Sequence, residues 1–449
     1  MLIGLLGDSR LQPVLMSGIN LKSAHRHRAL QVGVVFVLAL AARFAFIAWR
    51  GPVTSPDTAE YVTLAQNLLD HKIFSLETSA PFEPSIRRAP VYPSFLALLS
   101  FFGVTSPAVV VSIQAILDAG VAVVILLLSE RAGAGGWGRV AAGMYAVHPG
   151  ALLSSASLLS ETLFTDLLVG SAWLLVAGLQ KNRLGLVGMA GSTLALAILC
   201  RPTALLLPVA IVCVLQFSPG VRRPAVASAV FLGALVLLLC PWIIRSSMLA
   251  NRFVPVQAYG SVVLYVATRI DWDWRDEASW WPRVWEDLGM RAAKTPQAMA
   301  DLDRWFMGQA VKNIASDPGG YVASRAKAFP FLLLTSFDKF TGFNASFHNV
   351  IAQGDFGRLL AKMSLLVLFS LIPIALAIVG LPDSFTHPVA WVSAVFWMYM
   401  VAVHAPTFFE NRYWWPAVPF ELVSAAVGIA RLGHLRCRRK WLVGRQRHG

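Results

Sequence analysis

The sequence predicts an all-α polytopic membrane protein, and three observations predict it. Hydrophobic residues fill 56% of the 449 positions and charged residues only 14%, whereas a soluble domain carries about 25% charged residues. The mean hydropathy is +0.61. The apolar residues also fall into long uninterrupted runs joined by short basic segments. A soluble fold of this length would need far more polar surface, so the bilayer is the solvent this chain is built for.

A helix needs about 20 apolar residues to cross the hydrocarbon core. Runs of that kind lie at 30–49, 107–129, 138–160, 161–179, 184–200, 203–217, 225–244, 359–380, 388–404 and 414–430, which predicts about ten spans with both termini on one side. No small-residue cleavage site follows the first run, so it reads as a retained span rather than a leader. Breaks at His148-Pro149-Gly150 and Arg201-Pro202 require neighbouring helices to cover the freed backbone groups.

Charge sets the orientation. The segments assigned inside (1–29, 130–139, 180–183, 218–224, 381–387 and 431–449) are dominated by bases, with Arg431, Arg436, Arg438, Arg439, Lys440, Arg445 and Arg447 in the last. The two outer segments, 50–89 and 245–358, nearly balance acids against bases. That is the positive-inside pattern. The net charge of +14 therefore reads as cytoplasmic flanks facing anionic lipid, not as a nucleic-acid surface. The cysteines, at 200, 213, 240 and 437, suggest no disulfide framework.

The organisation that follows has four parts. Residues 1–244 form an N-terminal transmembrane module that includes the first outer loop, 50–89. Residues 90–103 within it are apolar but short, and read as an interfacial or re-entrant helix. Residues 245–358 hold Trp272, Trp274, Trp280, Trp281, Trp285 and Trp305, rings that favour the headgroup level, so short amphipathic helices on the outer face are expected. Spans then occupy 359–430, and 431–449 is a basic cytoplasmic tail.

Several polar residues are out of place in such a chain. Asp57, Glu60 and Tyr61 follow Pro56 and share one helix face by their i, i+3, i+4 spacing. Read alone, Asp57 would merely favour the helix dipole. Glu161 and Asp166 open the fourth span, where an acid at the bilayer centre costs about 2.5–3.5 kcal/mol and so requires a polar partner. Arg43 lies late in the first span, Arg201 opens the sixth, and all of these except Asp166 are expected at the outer level. Arg87, Arg88, Arg245 and Arg412 add guanidinium groups there, the preferred bidentate partners of phosphate. By contrast, the G-x-G-x-x-G run at Gly133–Gly138 follows no strand and reads as a turn. His148 reads as a helix-end residue, and His348 and the sequon at Asn344 fall in the long outer segment.

Together these pieces resemble the GT-C superfamily of membrane glycosyltransferases, specifically the bacterial family-39-like members related to aminoarabinose transferases and protein mannosyltransferases. The resemblance rests on Pro56-Asp57 with Tyr61, Arg88-Ala89-Pro90-Val91-Tyr92-Pro93, Ser160-Glu161-Thr162-Leu163-Phe164 and Arg201-Pro202-Thr203. Pro241-Trp242-Ile243-Ile244-Arg245 with Arg252-Phe253-Val254-Pro255 follows, then Glu410-Asn411-Arg412-Tyr413 with Pro416 and Pro419. It implies a GT-C-like helical bundle in the cell membrane that moves a hexosyl or pentosyl group, with inversion. The donor would be a polyprenyl-phosphate sugar and the acceptor a lipid, glycan or protein on the non-cytoplasmic face.

Within that resemblance, Asp57 is the catalytic carboxylate. Many relatives have a directly adjacent acidic pair, but Thr58 follows here, which leaves Glu60 as the second catalytic candidate. Tyr61, Arg88, Tyr92, Glu161, Arg201, Arg245, Glu410, Arg412 and Tyr413 are assigned to substrate. No cofactor is required, but a divalent metal is left open because some relatives use one. Two other readings compete: a transporter or lipid flippase, whose signs would be inverted repeats and midplane charges, and a non-catalytic assembly factor of the same fold.

Overall fold

The computed structural model describes residues 12–218, 221–270, 282–287, 293–333, 347–384, 387–408 and 410–446. Among them no strand forms; only the isolated bridges Val53–Ser157 and Ser75–Pro84 interrupt the helices. The sequon and four of the six tryptophans noted above lie outside the described residues.

Among the described residues, six helices are long and apolar enough to cross a bilayer. The first is the apolar part of α1 (Gln12–Arg50), from Arg26 onward. Two others, α4 (Pro107–Arg131) and α7 (Glu161–Lys181), are joined through α5 (Trp137–Ala146) and α6 (Pro149–Ser155). With 25 residues, α4 extends roughly 37 Å at 1.5 Å per residue, enough to span with tilt. Beyond α7, α8 (Leu184–Cys200) and α9 (Leu207–Phe217) lead to α10 (Pro224–Ala250). The remaining long segments are Phe356–Ser384 and Trp415–Leu435, with Pro388–His404 between them.

Of the about ten expected spans, six reach a spanning length among the described residues. The apolar helices Val91–Phe101, Leu184–Cys200, Pro202–Phe217 and Pro388–His404 are shorter than the other six. Residues 138–160 do not form one helix. The residue before a proline is pushed out of the helical region, and His148 sits at φ −64°, ψ 124° before Pro149. Its Nδ1 accepts from the Gly150 N–H at 3.1 Å, so it is the helix-end residue expected. All of α6 is buried, which is how a broken helix survives at membrane depth.

Close helix packing depends on small residues, as expected where lipid removes any hydrophobic advantage. A Cβ on Gly428 would collide with the Leu376 carbonyl, and one on Gly380 with that of Ser424. Those two glycines let the segment Phe356–Ser384 lie against the final helix (Val418–Gln446), one of the most extensive helix pairs in the fold. Gly191 does the same for α8 against Phe231 of α10.

The two ends of the bundle differ. At one, Arg28 pairs with Glu130 at 3.0 Å and Arg431 with Asp383 at 3.5 Å. At the other gather the last turn of α1, the first turn of α7, and the ends of α8, α10 and Pro388–His404. Over that end lie α2 (Pro56–Asp70) and α3 (Val91–Phe101). Beside them are α11 (Ser261–Thr268) and two longer helices, Pro296–Ser316 and Pro318–Leu333, which we label α12 and α13. These fit the expectation of short helices over the bundle.

Candidate functional site

The loop from α1 to α2 is fastened to the loop before α7 by backbone. Val53 N–H donates to the Ala156 carbonyl (2.8 Å) and Leu158 N–H donates back to Val53 (3.0 Å). Thr58 closes the clamp: its hydroxyl accepts from the Ser55 N–H and donates to the Leu158 carbonyl, both at 3.0 Å. The residue before it, Asp57, and the residue three past Leu158, Glu161, are thereby brought to one place. Each stands in the first turn of its helix, where the helix dipole favours an anion.

Around them close four guanidinium groups. Arg88 Nη2 lies 2.6 Å from Asp57 Oδ1, and Arg88 Nε lies 2.5 Å from Glu60 Oε2. One arginine thus reads both carboxylates of the α2 face, the pairing that their helical spacing offered. Arg87 reaches the other Glu60 oxygen at 3.4 Å. From the far end of the chain, Arg412 Nη1 lies 3.0 Å from Asp57 Oδ2 while its Nε is 2.8 Å from Glu410. Arg201 Nη1 pairs with Glu161 at 2.7 Å and donates to the Ser160 hydroxyl at 3.1 Å. Arg412 lies 3.6 Å from the same Glu161 oxygen.

Aromatic rings cover these cations. Tyr61 and Tyr259 sit 5.3 and 5.0 Å from the Arg88 guanidinium. Trp285 and Tyr259 sit 4.3 and 5.2 Å from that of Arg87, and Tyr413 faces both Arg201 and Arg412. Rings at such distances attract cations and exclude water. Behind the first layer, Tyr92 is fully buried, meets Tyr61 edge-on at 5.0 Å, and donates to Gln114 at 2.9 Å. His404 stacks on Tyr413 at 5.1 Å.

Electrostatics follows from this packing. Burial pushes the Asp57 carboxyl up, but the charges and hydrogen bonds of Arg88 and Arg412 outweigh it and hold the pKa down at about 2. Burial works against the charge of Arg88 too, yet Tyr61, Glu60 and Asp57 leave it well above its ordinary value. For Arg87 burial wins, and its pKa falls below the usual one. Glu161 is almost wholly buried and its Oε2 has no hydrogen-bond partner among the described residues. A donor from a bound molecule would relieve that cost.

The sequence-based assignments divide on this geometry. Asp57, Glu60, Tyr61, Arg88, Glu161, Arg201, Glu410, Arg412 and Tyr413 form one contiguous cluster, with Tyr92 directly behind. Arg245 stands apart: it donates to the Ser85 carbonyl at 3.2 Å and stacks on Trp242 and Phe74. Arg43 does not belong to this level at all. It is wholly buried inside the bundle, paired with Asp118 at 2.5 Å, and Asp118 also accepts from Tyr145 at 2.6 Å. Asp166 interacts electrostatically with that pair and not with the site. Tyr259 and His404 were not picked out from sequence; Ser160 was named only within the motif around Glu161, and Trp285 only among the tryptophans of the outer segment.

Among the described residues, no group of three or more His, Cys, Asp or Glu side chains is disposed to hold a metal ion. The four carboxylates each turn to an arginine rather than to one another.

Comparison with known proteins accords with the bundle. Residues 87–244 match the model of the family described as dolichyl-phosphate-mannose-protein mannosyltransferase. The matched stretch starts at the Arg87-Arg88 pair and includes Tyr92, Glu161 and Arg201. No curated protein matches the chain in sequence. Among solved structures, the fold is similar to the Archaeoglobus fulgidus oligosaccharyltransferase in complex with Zn and sulfate, with a TM-score of 0.52 at 12% identity. It is also similar to the oligosaccharyltransferase AglB of that organism in complex with an inhibitory peptide and a dolichol-phosphate, at 0.54 and 13%. Both alignments cover 92% of this chain and 51% of the other, so the chain spans about half the length of these relatives. ArnT from Cupriavidus metallidurans, bound to undecaprenyl phosphate, aligns at 0.36 with 16% identity, over 89% of this chain and 77% of that one. The multi-pass helical bundle is GT-C-like in fold.

Proposed function

We propose that this protein transfers a sugar from a polyprenyl-phosphate donor to an acceptor hydroxyl or amine, with Asp57 as the base. The observation that carries the reading is the joint hold of Arg88 and Arg412, drawn from distant parts of the chain, on the one Asp57 carboxylate. As it stands the cluster is balanced, with Asp57, Glu60, Glu161 and Glu410 against Arg87, Arg88, Arg201 and Arg412. An entering phosphate must therefore compete with a carboxylate for guanidinium.

That competition resolves a difficulty. A carboxylate held at about 2 is a weak base near neutral pH. When the donor phosphate takes guanidinium N–H groups from Asp57, the attraction that depressed its pKa fades and burial dominates, so Asp57 becomes more basic as the donor seats. It then accepts the acceptor's proton while the acceptor atom attacks the anomeric carbon from the face opposite the phosphate. The carbon–oxygen bond to phosphate breaks, its electron pair stays on the phosphate, and the arginines stabilise that charge. Attack from the opposite face inverts the anomeric centre.

Orientation belongs to the same proposal. The cluster lies at the bundle end remote from Arg28, Arg131 and Arg431. Basic flanks favour the cytoplasm, which supports a site on the non-cytoplasmic face, with both termini inside. A prenyl-linked donor suits a site at the membrane boundary, and the donor's chain would lie among the lipid-facing helices.

The test uses purified protein in proteoliposomes with radiolabelled polyprenyl-phosphate sugars and a cell-envelope extract as acceptor. Labelled product is expected from the native protein and none from Asp57→Asn, with both variants inserted equally. Full transfer by Asp57→Asn would falsify the assignment.

A further inference from the structure

A polar cavity of about 340 Å³ opens between α11 and α12, away from the arginine cluster. Its size falls in the range of small-molecule sites. Trp305, Gln309 and Asn313 recur every four residues on α12 and Asp317 caps the helix, so one helix face carries the whole series. Tyr265 and Arg269 line it from the α11 side, and Tyr321 of α13 borders it as well. Trp305 is 41% exposed and packs against Tyr265 at 5.8 Å and Phe306 at 5.3 Å. Its ring is thus held from behind while part of it is left open. Asn313 is oriented by donating to the Thr268 hydroxyl at 2.9 Å, and Arg269 by donating to the Tyr265 hydroxyl at 3.0 Å.

The chemistry of this lining selects a ligand class. A pyranose offers an apolar C–H face and a rim of hydroxyls that both donate and accept. An open tryptophan ring matches the face. Side-chain amides, which donate and accept from one planar group, match the rim. A phosphate would call for several cations, but here one guanidinium is accompanied by Asp317. A lipid tail would call for an apolar lining. An extended peptide adds most readily to a sheet edge, and the described residues contain no strand.

Position links this cavity to the catalytic cluster. Tyr259, which faces Arg87 and Arg88, precedes α11, while Thr268 and Arg269 at its far end line the cavity. The eight residues of α11 extend about 12 Å. We propose that this cavity is a saccharide-binding subsite, holding a unit of a glycan acceptor distal to the one that receives the new sugar. Its role as an acceptor subsite rests on the transfer reading above; its affinity for a saccharide does not.

The experiment separates the two. Full-length protein in lipid nanodiscs is titrated with cellotetraose, chitotetraose, maltotetraose and mannotetraose, followed by saturation-transfer NMR. At least one should bind, Asp57→Asn should bind it equally, and Trp305→Ala and Gln309→Ala should each weaken it about tenfold. Trp305→Phe, which keeps an aromatic face, should retain most of the affinity, and Gln309→Ala remains informative should Trp305→Ala fold poorly. No binding by any of the four at millimolar concentration, or binding untouched by both alanine variants, overturns the proposal. So does competition by a peptide mixture that displaces nothing in Trp305→Ala but binds the native cavity in preference to every saccharide.

Discussion

The Arg412 guanidinium lies 3.0 Å from the Asp57 carboxylate, though one residue precedes the last span and the other follows the first. Arg412 also grips Glu410 through two nitrogens, each at 2.8 Å. That fork is what a lysine cannot reproduce. Arg412→Lys should therefore keep the charge but lose the geometry, raising KM for the polyprenyl-phosphate donor by about 10–100-fold, the equivalent of one charge-assisted hydrogen bond of roughly 1.5–3 kcal/mol. An initial-rate series against donor concentration checks it. An unchanged KM would mean that Arg412 serves the fold and not the phosphate.

Asp57 predicts a pH dependence of stability. Its folded pKa of about 2 lies below the ordinary 3.8, so ionised Asp57 stabilises the fold above the unfolded value. That stabilisation is lost as pH falls from about 4 through about 2. The full contribution is on the order of 2 kcal/mol. The melting temperature of the native protein should therefore exceed that of Asp57→Asn near neutrality, and the gap should close as the solution is brought toward pH 2. A gap that persists at the acid end would show that the carboxylate's charge is not what the arginines hold.

How much of this was legible depends on the distance over which each signal acts. Asp57, Glu60 and Tyr61 could be placed on one face because helical spacing is local, and Arg88 indeed reaches both acids while Tyr61 covers it. Glu161 and Arg201 could be grouped because both border spans, and the bilayer fixes the level of a span's end. His404, though it ends the run 388–404, was not singled out. Tyr259 and Trp285 obey no such rule. Their positions depend on how the segment after α10 folds back over the cluster, which nothing in a linear pattern states. The single span expected over residues 138–160 failed for a local reason, the proline after His148, whose effect on a buried helix depends on which neighbours cover it.

Arg43 was grouped with the site because it stands late in the first span, but depth alone does not choose a partner. Its partner is Asp118, a solitary acid in the apolar middle of α4. Removing one member of a buried pair leaves an uncompensated charge and costs about 3–5 kcal/mol. Asp118→Leu should lower the melting temperature sharply, and the double change with Arg43→Met should restore most of it. Donor KM should be unaffected in the double variant. A change in KM as large as that from Arg412→Lys would return Arg43 to the site.

Thr58 offers the finest test of the geometry, because it is neither charged nor in contact with the arginines. Its hydroxyl joins Ser55 to Leu158, and so sets the distance between the first turn of α2, with Asp57, and the loop leading to Glu161. Thr58→Val keeps the shape and removes both hydrogen bonds, leaving a buried carbonyl and an N–H unsatisfied at about 1–3 kcal/mol. Misplacing a base by a fraction of an ångström affects the proton transfer more than it affects the binding of a lipid phosphate. The expected result is a fall in kcat of at least about tenfold with donor KM within about twofold, and recovery of kcat in Thr58→Ser, whose hydroxyl makes the same bonds. If kcat stays unchanged in Thr58→Val, the clamp is not what aligns Asp57; if Thr58→Ser fails to restore it, shape and not hydrogen bonding is what the position supplies.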